Sequence, residues 1–228
     1  MIGRELKRIL QKPTAFVCIV VYMGIMILGV ESDLRARYEI GFLNLFWVTE
    51  NFGVTIFIQT LIFPVAAAGN YFDERKGHYD WLIQMRSGQL RYCIAKIVSA
   101  VLGGIILYMI SVILFFAVCV IFIPEVRHGS TVESITNLFQ SKECFWYRMA
   151  LSIGYYPTVI VLAFQYSLHI GIYVLLGLCV SVFCTNRYVF YAMPFLLTRI
   201  GMYIGGFVGL YAYIPYGREL LADGGWGI

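Results

Sequence analysis

Residues 69–96 read GNYFDERKGHYDWLIQMRSGQLRYCIAK, and the rest of the chain is read outward from them. The stretch lies between two long apolar runs and carries most of the central charge, with Asp73, Glu74, Arg75, Lys76, Asp80, Arg86, Arg91 and Lys96. Charged groups and unpaired backbone are costly in lipid, so a segment this polar belongs outside the bilayer. It has room for one short helix and the start of a second. Phe72, Tyr79, Leu82 and Ile83 give 71–85 an apolar side, and acids at the front of such a helix suit its N-terminus. Ser87-Gly88 reads as a break. From Gln89 the chain enters the next apolar run, whose base carries Arg91 and Lys96.

Composition settles the class of the flanking sequence. Hydrophobic residues make up 60% of 228 and charged residues 13%, with a mean hydropathy of +0.77. Soluble domains are about half apolar and about a quarter charged. A spanning helix needs about 18 or more apolar residues, and five runs qualify, near 14–30, 52–69, 97–123, 158–184 and 189–214. Spans and loops together use up residues 1–228, which predicts a single all-α polytopic transmembrane domain. The first run is too long for a signal peptide, and no small-residue cleavage site follows it.

Charge is sorted along the chain rather than gathered into a nucleic-acid-binding patch, although the net charge is +4. With the N-terminus in the cytosol, ten Lys and Arg residues fall on the inner side and six on the outer. That bias predicts an inner N-terminus and an inner 69–96 segment. Residues 1–12 predict a basic amphipathic helix lying in the interface: Ile2, Leu6, Ile9 and Leu10 share one face, opposite Arg4, Lys7 and Arg8. Residues 31–51 form an outer loop made partly interfacial by Phe42, Leu45, Phe46 and Trp47. Pro64 is placed to kink the second span near its inner end. Residues 124–157 are the largest outer segment. No CxxC pair occurs, and four of the six cysteines lie in apolar runs as small packing residues.

Three features within the spans stand out. Gln165, His169 and Tyr173 recur every four residues and line one helix face, which suits either interhelical hydrogen bonds or a substrate path. Arg199 lies about 17 Å into the fifth run, and no Asp or Glu falls within any run to neutralise it. Its partner is then a carbonyl, lipid phosphate, water or an anionic ligand, unless a break at Pro194 brings it nearer the surface. Gly201, Gly205 and Gly209 form two overlapping GxxxG patterns, which admit a close helix, either within the subunit or at a dimer seam.

The order of features resembles the permease subunits of type-2 ABC transporters: a flat basic helix, a membrane hairpin, the YFDERKGHYDWLIQMRSGQLRYCIAK segment, then further spans. In that family the connection after the second span carries a Glu, a Gly three residues on, an apolar pair, a basic residue and a Lys at the next span. Glu74, Gly77, Leu82, Ile83, Arg91 and Lys96 match that order. Ser87-Gly88 stands where the family usually has a Pro, and the family has six spans against five runs here. The resemblance covers Met1 to about Tyr213.

It implies a transporter half that pairs with a second permease copy or a paralogous permease. Residues 70–92 are then a cytosolic coupling segment that docks a separate ATPase subunit through Phe72, Glu74, Arg75, Gly77, Leu82 and Met85. ATP and Mg would belong to that partner, since no GxxxxGK followed by Ser or Thr occurs in this chain. Gln165, His169, Tyr173 and Arg199 are the candidate substrate path, and the implied cargo is a peptide, drug or lipid. Two rival classes are a non-transporting immunity or sensor protein and an intramembrane enzyme. For the enzyme, His78, His128 and His169 are far apart and no HExxH motif occurs.

Overall fold

A computed structural model of the chain describes residues 2–35, 45–46, 49–50, 53–76, 88–122, 145–184 and 186–207. Seven helices are bounded within them: α1 Ile2–Leu10, α2 Pro13–Arg35, α3 Gly53–Lys76, α4 Gln89–Phe122, α5 Phe145–Ile153, α6 Tyr155–Phe183 and α7 Arg187–Phe207. No strand occurs among the described residues. Apolar sequence at this length favours helices because each backbone donor finds its acceptor within the same segment.

Four helices are long and apolar enough to cross a membrane, over Pro13–Val30, Val54–Arg75, Gln89–Phe122 and Tyr156–Phe183. Phe16, Leu28, Ile113, Ile160 and Phe164 point outward from them, as suits a lipid-facing surface. The chain is a multi-pass helical membrane protein. The fifth apolar run enters α7, which is not among the four; the remainder of that run, residues 208–214, lies outside the described residues. Arg187 at the start of α7 and Arg199 within it interrupt its apolar character.

The core is aromatic at its centre. Tyr22 of α2 packs edge-on to Phe63 of α3 at 5.1 Å between ring centroids, and Tyr108 of α4 lies 5.8 Å from Tyr22 and 5.9 Å from Phe63. All three rings are fully buried. Glycines set the closest approaches between helices. A Cβ on Gly104 of α4 would stand 2.6 Å from Val174 of α6, and one on Gly177 of α6 would stand 2.9 Å from Pro64 of α3. Small residues of this kind let helices pack backbone to backbone.

The helix boundaries depart from the apolar runs for reasons of packing. α4 begins at Gln89, well before residue 97, because Tyr92, Ala95 and Lys96 are buried against neighbouring helices. At 34 residues it is about 51 Å long, against a hydrocarbon core of about 30 Å. Gly88, at φ 80°, immediately precedes it, while Ser87 of the expected break lies outside the described residues. Pro64 falls in the middle of α3, not near its end, because the helix continues to Lys76. Likewise α7 is unbroken at Pro194, which removes the broken-helix option for Arg199. Thr198 donates its hydroxyl to the Pro194 carbonyl there.

Candidate functional site

The charged end of α3 contacts four other helices. Asp73, Glu74 and Arg75 are consecutive, so they point in different directions around the helix and reach different neighbours. Asp73 accepts from Arg187 at the start of α7 (2.7 Å) and pairs with Lys12, in the turn between α1 and α2 (3.6 Å). Glu74 is buried; it pairs with Lys96 of α4 at 2.7 Å, with Arg8 of α1, and accepts from the Tyr92 hydroxyl at 3.2 Å. Lys96, itself 5% exposed, is shared with Glu5 of α1. Arg75 donates to the carbonyls of Ser181 and Val182 at the C-terminal end of α6, where a cation meets the negative pole of that helix.

These contacts change the expected reading of 71–76. Asp73 and Glu74 do not open a new helix; they lie in the last turns of α3. Acids there oppose the helix dipole, and Arg8, Lys12, Lys96 and Arg187 offset them. Phe72 was expected in a partner's groove. Instead it is buried and stacked on Phe190 of α7 at 5.0 Å. Glu74 likewise faces inward. Of the six residues of the coupling segment, Phe72, Glu74 and Arg75 therefore serve contacts inside this chain, while Gly77, Leu82 and Met85 lie outside the described residues.

α1 is helical as expected, and it is packed rather than lying apart. Ile9 is buried against Gly103 of α4, where a Cβ would come within 3.1 Å of it. Glu5 and Arg8 on the same helix join the ionic cluster. The charge pattern of residues 1–12 signals an amphipathic helix but not these pairings, since its partners lie 66 and 91 residues away.

The polar residues of α6 divide. Tyr173 is buried. His169 is half-buried and its Nδ1 bonds the Gln165 carbonyl of its own helix at 2.9 Å. Arg199 itself is exposed, sits over the Phe195 ring at 5.4 Å, and joins no ion pair among the described residues. Gly201 is exposed with nothing within 4 Å of where a Cβ would be, so it packs against no helix among the described residues. Gly205 lies in α7, and Gly209 lies outside the described residues.

One residue escaped the sequence reading. Glu50 was counted with the outer loop, yet it is fully buried and bonded to Tyr22 (2.8 Å) and Tyr108 (2.9 Å). Both tyrosines lie near the middle of apolar helices, so a carboxyl group does enter the bundle. The available signal was helical spacing: Leu45, Phe46, Thr49 and Glu50 fall on one face, and all four are buried.

No family model matches this chain, and no curated protein or solved structure matches it.

Proposed function

We propose that this chain is the membrane-spanning permease subunit of an ATP-driven exporter resembling the type-2 ABC class. A separate ATPase subunit drives alternating access, and a second permease copy or a paralogous permease completes the pore. The cargo is small or amphipathic, a peptide, drug or lipid. The chain lies in the cytoplasmic membrane with its N-terminus and residues 77–87 in the cytosol.

The observation that carries this reading is the ionic cluster at the end of α3. Residues 77–87 continue directly from a helix end tied to α1, α4, α6 and α7. A partner that displaces this segment therefore moves four further helices, including two of span length. Motion in discrete packed elements is how force passes between distant sites. Leu82 and Met85 remain as apolar anchors for the partner.

The test is recovery of ATPase activity with the tagged full chain from membranes of its source, solubilised in mild detergent. Wild type is expected to carry an ATP-hydrolysing subunit, and Leu82→Asp to lose it while keeping its own folded yield. Wild type that purifies with no ATPase, or Leu82→Asp that keeps a full complement, would overturn the proposal.

A further inference from the structure

Glu50 is the only carboxylate at the centre of the bundle among the described residues, and its charge has no cationic partner there. Its Oε1 accepts from both Tyr22 and Tyr108, while its Oε2 is buried without any hydrogen-bond partner. Two more orphans belong to α3: the Gln59 Nε2 and the Thr55 Oγ1. Thr55 and Gln59 are one helical turn apart and share the face of α3 that carries Phe63. The Tyr22 hydroxyl lies 2.8 Å from Glu50 and 3.5 Å from Gln59 Oε1, so carboxyl and amide flank the same oxygen. Glu50, Thr55, Tyr22 and Tyr108 are 0% exposed and Gln59 is 1% exposed.

Buried polar groups are almost always paired, and a buried charge is paired or binds a cation. The free carboxylate oxygen, the Gln59 amide that shares the Tyr22 hydroxyl with it, and Thr55 one turn along the same face of α3 therefore mark an unfilled valence. A water molecule satisfies the hydrogen bonds but leaves the charge. A cation satisfies both, and every oxygen it needs is a hard donor: carboxylate, amide carbonyl after a flip of Gln59, and hydroxyls. A single carboxylate balances a single positive charge.

We propose that Glu50, Thr55 and Gln59, with Tyr22 and Tyr108, form an intramembrane site for one monovalent cation, a proton or an alkali metal ion. Carboxyl oxygen Oε2 takes the cation, and the two tyrosine hydroxyls hold Oε1 in place. The titratable groups around the site are Tyr22 on α2, Tyr108 on α4 and, beyond Phe46, Tyr166 on α6. Occupancy joins α2, α3 and α4 to Glu50. The site stands on this geometry alone and does not depend on the ATPase reading.

Thermal unfolding of the purified full chain in detergent tests it, because a bound cation stabilises the folded state in proportion to its occupancy. One arm replaces choline chloride with sodium or potassium chloride at constant ionic strength and pH. The other varies pH in choline chloride alone. Wild type is expected to show a rise in Tm with alkali cation, or with falling pH, and Glu50→Gln to lose that rise. A response in the first arm assigns an alkali ion, and one in the second arm alone assigns a proton. Tyr108→Phe and Thr55→Val keep the carboxylate and serve if Glu50→Gln does not fold. In both, half-maximal stabilisation should move by about tenfold. Equal responses in wild type and all three variants, or no response in wild type, would leave Glu50 hydrogen-bonded to an ordered water and overturn the proposal.

Discussion

Lys96 shows how a single side chain is held in place by its neighbours. Its ammonium sits between Glu74 and Glu5 with almost no contact with solvent. Removing one member of a buried pair leaves the other charged and unpaired, which costs about 3–5 kcal/mol. Lys96→Met should therefore lower folded stability by that order, because Arg8 is half-exposed and replaces little of the lost contact. The double variant Glu74→Leu with Lys96→Met should recover much of the loss, since both members of the most buried pair are then neutral. Arg8→Met alone should cost about 1 kcal/mol or less. Unfolding of the detergent-solubilised protein, followed by near-ultraviolet circular dichroism, gives all three. A double variant as unstable as the sum of its singles would show that Glu74 and Lys96 act separately.

The long helices pack through glycine, and the positions that matter are not the most regular ones. Gly104 and Gly177 face Val174 and Pro64 at distances no side chain tolerates. Gly201 belongs to an even four-residue pattern yet faces open space. Gly104→Leu and Gly177→Leu should each destabilise the fold by about 1–3 kcal/mol, the usual cost of overpacking. Gly201→Leu should leave monomer yield unchanged. Size-exclusion profiles and folded yield separate the two groups. Equal losses in all three would mean that α7 meets a second chain at Gly201.

Across the whole molecule, the charged end of the bundle collects the start of α4, the ends of α3 and α6, the start of α7, and α1. Helices crossing in alternation bring these termini to one side. Under the inner N-terminus reading, Lys76→Cys and Glu133→Cys, each in a background without the six native cysteines, should label from opposite sides of intact cells. An impermeant maleimide should reach Glu133→Cys directly and Lys76→Cys only after permeabilisation. Labelling of both before permeabilisation would reverse or refute the orientation.

The helical class and the existence of four long helices were legible from hydropathy, because lipid-length apolar runs admit few other structures. Amphipathic spacing showed that residues 1–12 are helical. The signal at Gly88 was equally local, and Gly88 adopts the positive φ that glycine permits just before α4 begins. What Asp73, Glu74 and Phe72 touch could not be read the same way. Their spacing suits a helix start and an outward apolar face, and only the return of α1, α4 and α7 to the same end turns them inward. Glu50 is the sharper case. Next to Asn51 it looks like loop, and its burial depends on Tyr22 and Tyr108, 28 and 58 residues away. Local sequence determines periodicity and length, whereas the partner of a buried charge is decided by which helices the chain brings beside it.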